Sequence, residues 1–375
     1  MIVQQLRWAA GEKLGGLTSL VDIDPQWLLV FAAPAWFADR NLFATLRQRF
    51  PAARLSGCST AGEITRSGVS DGSCTITAVH WPAGPPTTAI AELASLDDSL
   101  AAGMRLGRQL GAPSAVVVFT PGVDINASAL VEGLVATLPP TTPIVGGLAG
   151  DGGAFRQTFT LSDQGVSSRA IVAVGLPPGI TVGRGSFGGW KPFGPAHKVT
   201  RSQGNILFEL DGEPALAVYK RQLGEHANGL PLTGLMFPFE MLTSDHAQTG
   251  LIRTMHRLDE SNGSLVLAGD IDRRGYLRLM HASTDALVDG AATAAEAAMV
   301  GNADCSSLAL LISCIGRKLV MAERVDEEVT AAVSILGAAV VTGFYSYGEI
   351  SSTATNSACQ LHNQTMTITC IRESP

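Results

Sequence analysis

The chain has 375 residues, 46% hydrophobic and 16% charged, a balance that excludes intrinsic disorder and suits two domains or three small ones. Its net charge of −7 argues against a nucleic-acid binder, because neutralising phosphates needs a basic surface. No apolar run of about eighteen residues occurs, so no membrane insertion is expected.

Met1–Trp8 reads as a strand rather than a signal peptide. Trp27–Pro34 is a short apolar strand, and Asn41–Phe50 carries apolar residues at helical spacing. Ala53–Gly57 is a second strand, followed by the turn GCSTAGEI (Gly57–Ile64) and a closing strand, Ser73–Trp81. The same order returns from Ala115: a strand, a helix over Ala127–Leu138, the Gly-rich segment Pro143–Gly153 and a closing strand, Ser167–Leu176. It returns again with strand Ser307–Arg317, helix Asp326–Leu336, strand and turn Ala339–Ile350, and closing strand Gln364–Ile371. Gly57, Gly62, Glu63 and Ile64 recur as Gly343, Gly348, Glu349 and Ile350, all at an offset of 286. Residues 232–283 offer a weaker fourth copy. The expected fold is therefore α/β, two similar domains related by internal duplication, with mixed β-sheets covered by helices. The boundaries are 1–195 and 196–375, joined by a Gly- and Pro-rich linker around Gly188–His197. Pro214 opens a helix to Leu223, and Asp285–Val300 forms another, ending at Gly301-Asn302.

Several motifs carry candidate chemistry. GRGSFG (Gly183–Gly188) is a literal GxGxxG, but Trp190-Lys191-Pro192 cannot open the helix a dinucleotide fingerprint requires. GGLAGDGG (Gly146–Gly153) has the glycines of an anion cradle without the Lys-Ser/Thr of a P-loop, and reads first as a tight turn. Gly57-Cys58-Ser59-Thr60-Ala61 nearly matches a nucleophile elbow, yet no His and Asp can be assigned to Ser59. Glu63 and Glu349 occupy equivalent turns. They suit acid–base work, or the structural task of accepting backbone hydrogen bonds, which is favoured. Cys314 precedes Arg317, a neighbour that lowers a thiol pKa, although a plain buried thiol is commoner. Cys58, Cys74, Cys305, Cys314, Cys359 and Cys370 form no CxxC pair, which fits reduced thiols in a cytoplasmic protein. The seven histidines contain no HExxH and no haem-attachment motif.

The motifs together resemble the FIST sensory family. GCSTAGEI (57–64), VGGLAGDGG (145–153) and GRGSFGGW (183–190) carry the N-terminal half of the resemblance. ELDGEPALAVYKRQLG (209–224), LISCIGRK (311–318), VTGFYSYGEI (341–350) and LHNQTMT (361–367) carry the C-terminal half. The resemblance implies a cytoplasmic input module, not an enzyme, that binds a small ligand such as an amino acid and signals to a partner. In members built of these two domains alone it also implies haem b, nitric oxide sensing and a partner histidine kinase. The expected ligand-binding residues are Ser59, Glu63, Asp151, Cys314, Arg317, Tyr345 and Glu349, clustered in one interdomain cleft, with Arg317 gripping a ligand carboxylate. His362 is the expected haem ligand, with His256 and His281 as alternatives. A hydrolase using Ser59 or Cys314 and a ligand-free scaffold are the competing readings.

Overall fold

A computed structural model describes residues 1–39, 41–299, 308–352 and 359–373. Cys305 and the helix stop at Gly301-Asn302 lie outside the described residues. The α/β class holds: among the described residues the strands form four sheets, three of them mixed and flanked by helices.

Three units share one plan. Each has a lead strand (Ile2–Trp8, Thr87–Glu92, Ile180–Phe187), then a first strand (Trp27–Ala32, Val116–Thr120, Leu308–Cys314). A helix follows (Asn41–Arg49, Ala127–Val135, Asp326–Leu336), then a second strand (Arg54–Ser59, Ile144–Leu148, Val340–Ser346) parallel to the first. A short hairpin and an antiparallel closing strand complete the unit. The internal duplication is thus expressed three times.

No unit keeps its own hairpin. The hairpin of unit 2 pairs with the second strand of unit 1, that of unit 3 with unit 2, and that of unit 1 with unit 3. The exchange closes a ring. The register repeats with it: Leu161 faces Gly57, Ile350 faces Gly146, and Ile64 faces Gly343. These glycines answer to the parallel pairing. A Cβ on any of them would lie 1.8–1.9 Å from the carbonyl oxygen of Val30, Val118 or Leu311 on the adjacent first strand.

Alternation along the first strands feeds two cores. In unit 1, Trp27, Leu29 and Phe31 point to the centre of the ring, while Leu28, Val30 and Ala32 pack under the unit's own helices. At the centre Phe31, Phe119 and Phe344, one from each sheet, form a triangle with ring centroids 4.7–6.2 Å apart. The GRGSFG segment is explained here. Strand Ile180–Phe187 lies against the Ala-rich helix Thr284–Met299, and a Cβ on Gly185 would meet the Ala294 carbonyl at 1.8 Å. Its glycine admits a helix rather than a dinucleotide.

Between the lead strand of unit 3 and that helix, residues 191–281 form a separate antiparallel sheet with its own core around Tyr219, Phe239 and Leu279. Within 232–283 the strand pairs are antiparallel, so this stretch is not a fourth copy of the repeat. The segment read as a linker is instead the start of the long strand Lys191–Gln203.

Gly57→Ala, Gly146→Ala and Gly343→Ala are each expected to lower stability by about 3 kcal/mol, since a β-carbon there clashes with backbone. Gly337→Ala, at a φ of +64 but in open space, is expected to cost about 1 kcal/mol. Urea denaturation of the four variants checks the contrast.

Candidate functional site

The three Gly-rich turns meet at the carboxyl ends of the parallel strands. Two sets of backbone hydrogen bonds link them, each repeated around the ring. Ala61 N–H donates to Tyr345 O (2.9 Å), Gly150 N–H to Ser59 O (2.8 Å) and Tyr347 N–H to Leu148 O (3.2 Å). In return Tyr345 N–H donates to Gly62 O, Leu148 N–H to Gly348 O and Ser59 N–H to Phe159 O, at 2.8–2.9 Å.

Glu63 and Glu349 brace their own turns in the same way. Glu63 accepts from the hydroxyl of Thr60 and from the amide and hydroxyl of Ser73. Glu349 accepts from the hydroxyl of Ser346 and from the amide and hydroxyl of Thr365. Both are fully buried. Burial raises the Glu63 carboxyl and pushes Glu349 up to about 7. The two turns do come together, but not as walls of one cleft. Glu63 borders a cavity of about 430 Å³ with Thr60, Asp71 and Lys318, while Glu349 lies outside that lining.

The remaining candidates fall into two groups. Arg317 is buried, and its Nε and Nη2 both grip Oε2 of Glu328, at 3.0 and 2.8 Å. Its other bonds go to the carbonyls of Gly188 and Leu287. The carboxylate this guanidinium holds is therefore internal. Tyr345 donates to the other Glu328 oxygen, as does Ser313. Glu328 thus ties together two predicted site residues. Its only sequence signal is a carboxylate at helical spacing from the buried Ala332 and Leu336. Cys314 is buried, and burial raises its thiol. The Ser59 hydroxyl donates to Gly150 O at 2.7 Å and accepts from Phe159 N–H. Neither is disposed as a nucleophile, so the hydrolase reading loses both of its named residues.

His362 is 1% exposed, with Nε2 3.0 Å from the Ser351 carbonyl, and burial lowers its imidazole to about 4. Among the described residues its Nδ1 has no hydrogen-bond partner, yet a ring so enclosed gives no face to a porphyrin. The residues present do not fit haem at His362. Of the alternatives, His281 is exposed at a strand end, whereas His256 borders a cleft.

That cleft departs from the repeat. Gly57 to Gly146 is a spacing of 89, but Ile64 to Leu161 is 97, so the turn of unit 2 carries eight extra residues. By register Thr160 stands there in place of Glu, and Asp151 braces the longer loop instead. It accepts from the amides of Phe155, Arg156 and Gln157 and from the Tyr347 hydroxyl. Burial works against the Asp151 carboxylate, but these bonds hold its pKa low. The loop carries Phe155, at φ +52, to the inserted sheet. Phe155 stacks on Tyr347 at 4.1 Å and faces His256 at 5.4 Å. The cleft has a volume of about 300 Å³. Ring residues Asp124, Asn126 and Leu148 form one wall, and His256, Arg257 and Leu267 of the inserted sheet form the other. Asp124 is also at positive φ (+57), and strain of this kind collects at functional sites. Asn126 Nδ2 reaches Asp270 across the seam at 3.5 Å. Burial lowers His256 to about 4, which keeps it neutral at physiological pH.

The sequence model of the FIST N domain matches residues 26–213, and that of the FIST C domain matches 215–352. The chain belongs to the FIST family. FIST domains are sensory domains of signal transduction that bind small ligands. An uncharacterized protein of Mycobacterium tuberculosis strain H37Rv is 25% identical over 330 residues, covering 85% of this chain and 84% of its own. An uncharacterized protein of Methanocaldococcus jannaschii is 32% identical over 97 residues, 24% of this chain and 18% of its own. Among the described residues, no helix of this FIST chain is long and apolar enough to cross a membrane.

Glu349 has a raised folded pKa, so the native state binds more protons than the unfolded state between pH 4.5 and about 7. Its contribution to stability is greatest below pH 4.5 and falls as pH rises through 7, by up to roughly 3 kcal/mol. Glu349→Gln is expected to flatten this slope, measured as urea midpoints across the range. Arg317→Ala strands the buried Glu328 charge and is expected to cost about 3–5 kcal/mol, seen in the same assay.

Proposed function

We propose that this FIST chain is a cytoplasmic signalling protein. It binds a small polar metabolite between the ring and the inserted sheet, and passes occupancy to a partner such as a histidine kinase. One observation carries the reading. Two of three equivalent turns keep the compact glutamate brace, while the third replaces it with a longer loop whose Phe155 reaches His256 on the inserted sheet. A repeat that needed only stability would keep the brace in all three, and departures of this kind mark functional places.

The cleft suits an amino-acid-like ligand. Asp124 and Arg257 offer opposite charges, Phe155 and Leu267 offer apolar surface, and the volume matches a compact molecule. Tyr347 connects the cleft to the ring. Its ring stacks on Phe155, its hydroxyl accepts from the amides of Asp151, Gly153 and Phe155, and its own amide is one of the turn-to-turn bonds. A ligand that displaces Phe155 therefore acts on the junction of units 2 and 3, which biases the ring between two arrangements.

Thermal-shift screening of amino acids and small carboxylates is expected to raise the unfolding temperature for one chemical class. For that class, Phe155→Ala and Arg257→Ala are expected to weaken binding about ten-fold or more by calorimetry while the free protein unfolds as before. Binding that is unchanged in both variants would place the site elsewhere. Tyr347→Phe is expected to retain most affinity but lose the ligand-induced slowing of amide exchange over 345–349.

A further inference from the structure

The opposite seam, where the inserted sheet meets unit 3, holds a cavity of about 260 Å³ lined by Phe193, His226, Met236, Phe237, His281 and Val320. Four rings follow one another around it. His226 lies 5.0 Å from Phe237, Phe237 lies 5.9 Å from Phe193, and Phe193 lies 5.6 Å from His281, centroid to centroid. The interplanar angles are 40°, 48° and 65°. Successive rings are thus tilted on one another instead of being stacked in parallel. Among the described residues no Asp, Glu, Lys or Arg lines it.

The backbone is arranged to present Phe193. Strand Lys191–Gln203 loses register with its partner between Pro192 and Ala196, and Gly194 sits inside that irregularity at φ +81. A bulge of this kind re-aims a side chain. Here it directs a phenyl ring that is 38% exposed toward His281, where simple alternation along the strand need not place it. Unit 3 closes the floor through Val320, on the helix Ile315–Met321 that also carries Arg317.

We propose that this box binds a quaternary ammonium head group. The negative faces of the two phenyl rings, Phe193 and Phe237, attract a cation that cannot donate hydrogen bonds, and methylated nitrogen has the size and weak hydration to enter such a pocket. The protein's net charge of −7 favours the approach of a cation over an anion. The site lies on different residues from the cleft proposed above and does not depend on it.

The test is calorimetric titration of the full chain with choline and with its neutral carbon isostere, 3,3-dimethylbutanol. Choline is expected to bind saturably and at least ten-fold more tightly than the isostere. Phe193→Ala and Phe237→Ala are each expected to reduce choline affinity ten-fold or more. Phe193→Leu keeps apolar bulk and removes the ring, so it is expected to lose choline binding while the unfolding temperature stays close to that of the parent. Phe187→Ala, an exposed phenyl outside the cavity lining, is expected to bind as the parent does. Equal binding of the isostere would make the cavity an apolar pocket and overturn the proposal. Absence of choline binding, or choline binding unaffected by Phe193→Leu, would overturn it as well.

Discussion

Everything in this molecule depends on the exchange of hairpins around the ring. A short two-stranded hairpin is marginal in water, and here each one is paired into a neighbour's sheet. The exchange also sets the distance between units. Each second strand ends with its backbone amide and carbonyl both bonded to adjacent turns. Each of those bonds contributes only about 1 kcal/mol net, but each makes sense only if the other five are in place. The glycines opposite Leu161, Ile350 and Ile64 serve the same end, since a side chain there would part the parallel strands.

This rigid plan makes the one irregular turn informative. Units 1 and 3 each bury a carboxylate to hold a tight turn, and its partners are the same in kind: one hydroxyl three residues earlier, one amide and hydroxyl near the closing strand. Unit 2 uses a semi-exposed aspartate in a longer loop, and borrows a tyrosine from unit 3 to complete the brace. The loop so held touches the inserted sheet, which lies outside the repeat. The functional reading rests on that meeting of a repeated and an unrepeated part.

Local elements were legible in the sequence, and their connections were not. Strand–helix–strand order in 27–59, 115–148 and 308–346 follows from apolar spacing, because each element buries a face under its own helix. The match of Gly57–Ile64 to Gly343–Ile350 correctly picked two equivalent turns, and the structural role favoured for Glu63 and Glu349 agrees with their hydrogen bonds. Pairing between hairpin 63–70 and strand 340–346 leaves no such trace, because periodicity says which face is buried and not by whom. The strand at 191–203 was hidden for a related reason. Its Pro and Gly residues read as linker, whereas the bulge accommodates them within a sheet. Arg317 and Tyr345 were recognised as special, but their partner Glu328 was not. One carboxylate in a helix with acidic residues at its first turn looks like a favourable dipole contact. His362 looked available because Leu361-His362-Asn363-Gln364 lies near the repeat's turn in sequence, and only tertiary packing encloses it.

The closed ring also dictates a timetable for synthesis. Hairpin 63–70 leaves the ribosome early, yet its partner strand begins at Val340, about 270 residues later. At roughly 5–20 residues per second the hairpin waits on the order of 15–55 s with an unpaired β edge. Strand Arg54–Ser59 is a second open edge, and it waits a shorter time, roughly 5–20 s, for the hairpin of unit 2. During that interval the nascent chain presents the kind of edge that invites intermolecular pairing. The exchange that pairs these edges in the finished protein therefore leaves both of them open for part of its synthesis.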